Sequence, residues 1–416
     1  MKAYERLIEY TKYPTASEDS SSTCPSTPEQ LEFGRALVEE MKSLGIKDAA
    51  MDKNGYIIGT IEANIENWSG TVIGFIAHMD VVREVPFTDI KTRIVKNYDG
   101  SDIVLNEEKK IVLSPKEYSS LTAYQGMDLL VTDGTTLLGA DDKAGLAEIL
   151  TMAEELHKNP FIKHGTIKIG FTPDEEIGRG ADLFQVKDFG ADFAYTVDGA
   201  AFGEVEYETF NAAEAQIHIN GVSIHPGSAK GMMKNANLIA MEFNSMLPAA
   251  ERPEHTENYE GFYHLNQMEG MVDHAKLKYI LRDHDSEKLE QRKATVEAAA
   301  AKIREKYGDE VIQVKIKDQY RNMAEKIKSH WHLIETAYEA VKELGGTPYS
   351  EPVRGGTDGS RLSFMGLPCP NLGTGSHNHH GKFEYACIQS MDKVVALLIN
   401  IAGKYAKMDV HQKDKQ

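Results

Sequence analysis

The sequence predicts an α/β protein whose chain is interrupted by a second, smaller α+β domain. Apolar segments such as TVIGFIA (71–77) alternate with amphipathic helical patterns, as expected of strands covered on both faces. From about residue 210 the strands become half-polar, and their predicted order with the helices changes to βαββαβ. The length of 416 residues also favours two domains over one.

Strands and helices alternate along the first half of the chain. A helix is predicted to begin at Pro28 and to stop at Gly45. Thr27 is an N-cap, Pro28 suits the first helical position, Gln30 is placed to form a capping box, and the glycine ends the helix. Strands are predicted at 56–61, 71–77, 166–172 and 193–197, and a helix follows the GADDKAG turn. Residues 84–133 are polar and are interpreted as an added hairpin or a long loop.

The second half begins with AEAQIHING, whose alternation is typical of a half-exposed antiparallel strand. Helices at 237–246 and 286–307 and strands near 261–268, 275–282 and 311–317 complete the βαββαβ pattern. We therefore predict an inserted lid at 211–322, within a larger domain formed by 1–210 and 323–416. Helices at 331–344 and 394–405 are expected to complete the larger domain.

Composition excludes several classes of partner. Lys and Arg number 46 against 64 Asp and Glu, which gives a formal charge of -18. Such a surface repels nucleic acid and anionic membranes, so neither is an expected partner. The N-terminus has no signal-peptide pattern, and no apolar segment is long enough to span a bilayer. The three cysteines are scattered and form no CxxC pair, which favours reduced thiols and a cytoplasmic location.

Two imidazoles and four carboxylates mark the candidate site, and most of them lie just past the end of a strand-like segment. They are His78, Asp141, Glu175, Glu176, Asp198 and His380. In open α/β sheets ligands bind outside the carboxyl ends of the strands, so these groups are expected to gather. Their number suits two cations better than one. Oxygen and nitrogen donors without thiolate favour Zn²⁺, with Co²⁺ or Mn²⁺ as substitutes.

Each motif also has a simpler explanation when it is considered alone. Asp80 lies two residues after His78 and can share its face of the strand, where a carboxylate could fix the tautomer of a metal-bound imidazole. It could equally be a capping aspartate. The adjacent Asp141 and Asp142 could cap a helix, although an aspartate at that turn can also bridge two cations. Asp198 could be an ordinary turn aspartate.

The acidic run 174–176 would usually indicate a solvated surface, yet it follows an apolar strand directly. Hydrolysis at a metal centre needs one carboxylate to bind metal and a second to accept a proton from water. Glu175 and Glu176 can divide those roles, and the residues alone do not indicate which takes which. In the loop HNHHG at least one histidine must be a bystander.

Seven motifs together resemble the peptidase T family. They are HMDVV, TTLLGADDKAG, FTPDEEIGRGA, TVDG, HPGSAKGMMKNA, RGGTDGSRL and HNHHGKFE. This family is the tripeptide aminopeptidase branch of the two-zinc metallopeptidases that include glutamate carboxypeptidase, succinyl-diaminopimelate desuccinylase and aminoacylase. The resemblance covers nearly the whole chain. It implies a mixed-sheet zinc-exopeptidase catalytic domain with an inserted lid, and a metal-dependent enzyme that removes the N-terminal residue of tripeptides.

The resemblance also assigns the metal ligands. Asp141 would bridge the two zinc ions, His78 and Asp198 would hold one, and Glu176 and His380 would hold the other. His380 is chosen over His379 because it lies four residues before Glu384, which is the family spacing. Family members often have a cis peptide after the bridging aspartate, which is expected here between Asp141 and Asp142.

Five further roles are implied by the resemblance. Glu175 would be the general base, and Asp80 would be the partner of His78. In the lid, His225 would stabilise the oxyanion and Arg282 would bind the C-terminal carboxylate of the substrate, which a planar guanidinium matches. Arg354, just before Gly355 and Gly356, is a further candidate for lining the same substrate pocket.

Two alternatives remain open at this point. A dipeptidase, aminoacylase or deacylase of the same fold would keep every metal residue and change only the substrate pocket. A non-catalytic peptide-binding protein would be expected to lack Glu175 or one of the ligands, and all are present. The resemblance leaves open whether the protein is a monomer or a homodimer.

Overall fold

The computed structural model describes residues 1–408 and divides into two compact units. The larger unit comprises Met1–Tyr207, Glu325–Ser350 and residues 357–408, and the smaller unit comprises Glu208–Ala324 and Glu351–Gly356. The segment Glu351–Gly356 differs from the expected division, which placed it in the larger domain. It belongs with the smaller unit because Val353 forms a β-bridge with Thr209, and its N–H donates to the main-chain oxygen of Glu208 at 3.0 Å.

The larger unit is built around a mixed sheet of seven strands. In spatial order they are Ala50–Met51, Ile57–Ile61, Ile167–Thr172, Ile73–His78, Phe193–Gly199, Asn371–Gly373 and Val205–Glu206. The four strands from Ile167–Thr172 to Asn371–Gly373 run parallel to one another, and the outer strands pair antiparallel. Ile73–His78 is buried along its whole length, as its apolar sequence predicts. The α/β fold class with a mixed sheet is therefore confirmed.

Seven helices accompany this sheet in the described part of the larger unit. They are Ala3–Tyr10, Pro28–Ser43, Ala140–Lys158, Val186–Phe189, His332–Glu343, Asp358–Phe364 and Ile388–Tyr405, and Ala324–Ile327 lies at the boundary of the two units. The last helix begins at Ile388, earlier than the predicted start at 394. The capping box expected at Gln30 does not form, because its side-chain amide donates to Asp174 at 2.7 Å and to Thr27 at 3.1 Å. Within residues 1–408, none of the helices has the length and apolar content needed to cross a membrane.

The polar segment 84–133 forms ordered structure of its own. Thr92–Val95 and Leu129–Thr132 join Tyr385–Cys387 and Ser376–His377 in a second, four-stranded sheet. Ile103–Asn106 and Ile111–Leu113 form a hairpin, as one of the two interpretations of the sequence predicted. A small core of buried residues, including Leu113, Leu121 and Tyr385, packs this segment together.

The smaller unit has the predicted βαββαβ order. Its antiparallel strands are, in spatial order, Phe262–Gly270, His274–Asp283, Asn211–Asn220 and Ile312–Tyr320. The helices Ala236–Ser245 and Ser286–Tyr307 share one hydrophobic core with these strands. Buried and less buried residues alternate along Asn211–Asn220, which agrees with a strand that has one face in the core.

Candidate metal centre

The site residues of the larger unit lie where its central parallel strands end. His78 is the last residue of its strand, and Asp198 is the penultimate residue of the neighbouring strand. Glu175 and Glu176 follow the strand Ile167–Thr172 after a two-residue turn. Because these three strands are parallel neighbours, their carboxyl ends meet at one edge of the sheet.

Two groups of potential ligands share Asp141. In the first group, Nε2 of His78 lies 3.0 Å from Oδ1 of Asp141 and 3.4 Å from Oδ1 of Asp198. In the second, Nε2 of His380 lies 3.1 Å from Oδ2 of Asp141 and 3.0 Å from Oε2 of Glu176. Within each group the ligand atoms all lie within 4.8 Å of one another. The two oxygens of Asp141 therefore face different groups.

This donor set fits two divalent cations. It consists of imidazole nitrogens and carboxylate oxygens, which bind such cations in proteins. In addition, Oε1 of Glu176 is buried and has no hydrogen-bond partner within residues 1–408. A buried carboxylate oxygen without a partner is costly unless it is paired or coordinates a metal. The geometry thus agrees with a two-metal site.

Asp80 lies behind His78 and is completely buried. Nδ1 of His78 lies 3.1 Å from the main-chain oxygen of Asp80 and 3.4 Å from its Oδ1, so both groups of Asp80 can orient this imidazole. The same carboxylate accepts hydrogen bonds from the main-chain N–H of Glu175 at 2.9 Å and of Glu176 at 3.1 Å. The sequence predicted the first contact but not the second.

The carboxylate of Asp142 belongs to neither group of candidate ligands and binds main-chain N–H groups instead. The Asp141–Asp142 peptide is cis, as the resemblance implied. Oδ2 of Asp142 accepts from the N–H of His78 at 3.1 Å, and its Oδ1 accepts from the N–H of Gly145 at 3.1 Å. A Cβ on Gly145 would stand 1.9 Å from the main-chain oxygen of Val197, so only glycine allows this helix to approach the sheet so closely.

The crowding of carboxylates shifts the titration of the imidazoles. Burial alone would lower the pKa of His78, but the carboxylates of Asp198, Asp141 and Asp80 together raise it well above its ordinary value. The pKa of His380 is raised to about 11, first by its hydrogen bond to Asp141 and then by that to Glu176. The site is thus a strongly negative environment that attracts cations.

The two adjacent glutamates also have raised pKa values. Burial is the main cause for Glu175, whose pKa rises well above the usual range, and the charges of Asp198 and Asp358 add to it. Burial also raises the pKa of Glu176 to about 8, and the charge of Asp141 adds to it. Carboxylates that hold a proton more tightly than usual are suited to accept one from water.

The three histidines of the HNHHG loop have separate environments. His377 Nε2 lies 2.5 Å from the hydroxyl of Tyr124, and His379 Nε2 lies 2.8 Å from the hydroxyl of Ser376. Only His380 has a ring nitrogen within hydrogen-bonding distance of both carboxylates of the second group. The geometry therefore favours the choice of His380 over His379.

The other predicted residues lie in the smaller unit. His225 is exposed in a short turn, where its Nδ1 accepts from the N–H of Gly227 at 3.2 Å. The guanidinium of Arg282 lies 5.2 Å from the ring centre of Tyr320, and its Nη1 donates to the main-chain oxygen of Leu281 at 3.0 Å. The roles of His225 and Arg282 toward a substrate remain predictions.

Arg354 is held firmly within the smaller unit. Its Nη1 donates to the main-chain oxygens of Asn258 and Glu260 at 2.8 and 2.7 Å, and its Nη2 donates to Thr256 at 2.9 Å. The guanidinium also lies over the ring of Phe210. These contacts fasten the loop 256–260, a structural role that the sequence did not suggest.

Three residues that sequence reasoning did not assign support the site. Glu384 accepts a hydrogen bond from the N–H of Asp141 at 3.0 Å, and Asn371 accepts one from the N–H of Asp198 at 3.0 Å. Asp358 is buried and accepts from the hydroxyl of Thr172 at 2.7 Å. A residue that binds a distant main-chain group has no local sequence pattern, and only the spacing of Glu384 from His380 offered a signal.

Similarity to solved structures agrees with this architecture. An aminopeptidase from Bacillus cereus has a TM-score of 0.74 at 24% identity, over 97% of this chain and 98% of that one. A tripeptidase from Staphylococcus aureus has a TM-score of 0.76 at 23% identity, over 98% of both chains. A dinuclear metal-binding peptidase of the M20 family from Bacillus subtilis has a TM-score of 0.64 at 14% identity, over 97% of this chain and 98% of that one. At these identities the likeness establishes the fold.

Sequence similarity identifies the family. A family model described as the peptidase dimerisation domain matches residues 207–308. Peptidase T of Caldanaerobacter subterraneus is 52% identical over 406 residues, which cover 98% of this chain and 99% of that protein. Identity at this level over the full length, together with the shared fold and the geometry of the site, shows that the chain belongs to the peptidase T family of peptidases.

Proposed function

We propose that this protein is a two-zinc aminopeptidase that hydrolyses the N-terminal peptide bond of tripeptides. The observation that carries the proposal is the carboxylate of Asp141 placed between two groups of ligands, with Glu175 anchored beside them by Asp80. Membership of the peptidase T family supports a peptidase, and structural likeness to an aminopeptidase and a tripeptidase supports the choice of substrate.

The metal ligands follow from the two groups. His78, Asp141 and Asp198 would hold one ion, and Asp141, Glu176 and His380 would hold the other. Nitrogen and oxygen donors favour zinc, with cobalt or manganese as substitutes. Likeness to a dinuclear metal-binding peptidase supports two ions. When bound, they would supply Lewis acidity that makes water a better nucleophile and polarises the scissile carbonyl.

Glu175 is the proposed general base and acid. It belongs to neither ligand group, so its carboxylate is available for proton transfer. It takes a proton from the attacking water and delivers a proton to the leaving amine. Asp80 holds its main chain, which limits how far the carboxylate can move from the reacting atoms.

Two residues of the smaller unit complete the proposed reaction. His225 donates to the oxyanion, and its exposed position supports access to a bound substrate. Arg282 binds the C-terminal carboxylate of the tripeptide. Its guanidinium lies 5.2 Å from the ring centre of Tyr320, and this planar group can make a bidentate contact with a carboxylate. A clamp at that end would make the enzyme sensitive to peptide length.

The smaller unit is also the proposed site of homodimer formation, as its match to the peptidase dimerisation domain supports. Phe262–Gly270 is an edge strand whose last five residues are exposed. Leu238, Met241, Met268 and Met271 are apolar side chains of this unit that are more than two-fifths exposed. An edge strand and exposed apolar side chains are features that a second copy can cover. Sedimentation should give twice the chain mass, and charged substitutions at Met268 and Met271 should yield monomers.

A cytoplasmic location is part of the proposal. It is supported by the free thiols of Cys24, Cys369 and Cys387, since disulfides are rare in that compartment.

A substrate panel tests the proposed activity. We expect metal-loaded protein to release the N-terminal residue from tripeptides, and to be far less active on N-acetylated tripeptides and on dipeptides. Elemental analysis of the same sample should give two zinc ions per chain. Faster turnover of dipeptides or N-acyl amino acids would instead indicate a dipeptidase or an aminoacylase. Loaded samples that retain no divalent metal would contradict the proposed site.

A further inference from the structure

Four of the five proposed metal ligands have their main-chain N–H bound by a side chain from another part of the chain. The side chain of Asp142 accepts a hydrogen bond from the N–H of His78, and that of Glu384 accepts one from the N–H of Asp141. In the same way, Asp80 accepts from the N–H of Glu176, and Asn371 accepts from the N–H of Asp198. These acceptors do not belong to the ligand groups. They fix the backbone from which each ligand projects, and residues behind the ligands strongly influence metal affinity.

Glu384 is the most heavily engaged of these acceptors. Its Oε2 accepts from the N–H of Leu138 at 2.8 Å and of Gly139 at 2.7 Å, and its Oε1 accepts from the N–H of Asp141 at 3.0 Å. The side chain is only 2% exposed. Hydrogen bonds to a carboxylate are roughly twice as strong as neutral ones, so this turn is tightly held.

The position of Glu384 in the chain links both sides of the second ligand group. Asp141 lies in the turn that Glu384 binds, and His380 lies in the loop that leads directly to Glu384. In the same group, Nε2 of His380 and Oδ2 of Asp141 are 3.1 Å apart. A shift of Glu384 would therefore move the shared ligand relative to His380.

We propose that Glu384 is a positioning residue that sets the placement of Asp141 and thereby the affinity for both metal ions. The proposal rests on the proposed function, in which Asp141 is the shared ligand. It does not require Glu384 to contact metal or substrate. Because Asp141 belongs to both ligand groups, disturbing its turn should weaken both ions together, whereas loss of Asp198 or Glu176 would act mainly on one.

The test is Glu384→Gln, which keeps the size of the side chain but replaces one acceptor oxygen with an amide that cannot accept. At least one of the three main-chain N–H groups then loses its acceptor. We expect the dissociation constants of both Zn²⁺ ions, measured by competition with a chelator, to rise about 10–100-fold. The absorption spectrum of the Co²⁺-loaded variant should also change, because a displaced ligand alters the geometry around the ion.

Asp192→Asn is the matched control. Asp192 also accepts a main-chain N–H, that of Val72 at 2.8 Å, but lies at the amino end of the strands, at the opposite edge of the same sheet. The Asp192→Asn variant should have the wild-type dissociation constants for both Zn²⁺ ions and the wild-type Co²⁺ absorption spectrum, even if its melting temperature is lower. A purely structural effect of Glu384→Gln would resemble this control.

Wild-type affinity for both ions and an unchanged cobalt spectrum in Glu384→Gln would overturn the inference. If that variant fails to fold, Glu384→Asp serves instead, because it keeps the charge but is one methylene too short to reach the turn. It should show the same loss of affinity, and wild-type affinity would again overturn the inference. Failure of the wild-type protein to bind two ions would contradict the proposed function instead.

Discussion

The main-chain N–H of Glu175 donates a hydrogen bond of 2.9 Å to Oδ1 of Asp80. The same oxygen lies 3.4 Å from Nδ1 of His78, so one buried carboxylate joins a proposed metal ligand to the proposed general base. Two parallel strands that are neighbours in the sheet supply the two loops, and Asp80 fixes the distance between them. The base is therefore positioned through its backbone, independently of its own side-chain contacts.

We expect Asp80→Asn to lower kcat/KM for a tripeptide about 10–100-fold. The amide keeps one acceptor oxygen, but it cannot both orient His78 and accept from the two main-chain N–H groups. Steady-state kinetics on metal-saturated protein measure the effect. Asp52→Asn is the control, because Asp52 also accepts two main-chain N–H groups, from Asn54 and Tyr56, but is exposed and belongs to no ligand group. Equal losses in the two variants would contradict a specific role of Asp80.

Substitution of the two adjacent glutamates, Glu175 and Glu176, should have two different effects. Glu175→Gln should reduce kcat by about 10²–10⁴-fold with both metal ions retained, because it removes the proton acceptor alone. Glu176→Gln should instead weaken metal binding, since Oε2 of Glu176 faces His380 in the second ligand group. Kinetics and elemental analysis on the same samples distinguish the two. If Glu175→Gln weakened metal binding and Glu176→Gln reduced only kcat, the roles assigned to the two glutamates would have to be exchanged.

Arg282 should control recognition of the C-terminal carboxylate of the substrate. Arg282→Met is expected to raise KM for a tripeptide by about 10–100-fold, because a charged hydrogen bond worth roughly 1.5–3 kcal/mol is lost. It should have little effect on the corresponding tripeptide amide. Arg354→Met provides the comparison, since its donors hold the loop 256–260. Arg354→Met should change KM for the tripeptide and for its amide equally. If Arg282→Met also changed both KM values equally, Arg282 would not bind the C-terminal carboxylate of the substrate.

Much of this architecture could be predicted because its signals are local. The apolar strand before His78 and the turn that carries Asp141 are continuous stretches of sequence, and the ends of parallel strands necessarily meet. Glu384 and Asn371 were not assigned because they act on main-chain groups far away in sequence, whatever residues those groups belong to. The same reason explains the misplaced segment Glu351–Gly356, whose partners are also distant.

Metal binding should become tighter as the pH rises from 6 to 8. In the metal-free protein Asp141 and then Glu176 raise the pKa of His380 to about 11, so its ring is protonated throughout this range. A ring that binds metal must be neutral, so binding releases this proton. His78, whose pKa the neighbouring carboxylates also raise, and Glu176, whose pKa burial raises to about 8, release protons as well when they bind metal. Each released proton improves the apparent dissociation constant about tenfold per pH unit.

Chelator competition at pH 6, 7 and 8 measures this trend, and calorimetry in buffers of different ionisation enthalpy counts the protons released. His274→Gln is a suitable control, because His274 is an exposed residue of the smaller unit that contacts Asp273 and belongs to neither ligand group. It should leave the trend unchanged. Affinity that is constant or weaker at higher pH would show that these ligands do not release protons when metal binds.

Glu148 should make the fold less stable at high pH. It is fully buried in the helix Ala140–Lys158, and neither of its carboxylate oxygens has a hydrogen-bond partner within residues 1–408. Burial raises its pKa well above the ordinary value. Between the unfolded value of about 4.3 and this raised value, the folded chain holds a proton that the unfolded chain releases.

In that window the free energy of unfolding falls by about 1.4 kcal/mol for each unit of pH increase. Glu148→Met removes the titrating group and replaces it with an apolar side chain of similar length. We therefore expect this variant to gain stability relative to the wild type as the pH rises above the ordinary pKa of a glutamate. Urea unfolding of the metal-free proteins measures the difference. Glu155→Met, at an exposed position on the same helix, should show no such gain. A constant difference between Glu148→Met and wild type across this window would mean that Glu148 does not change its proton occupancy on folding.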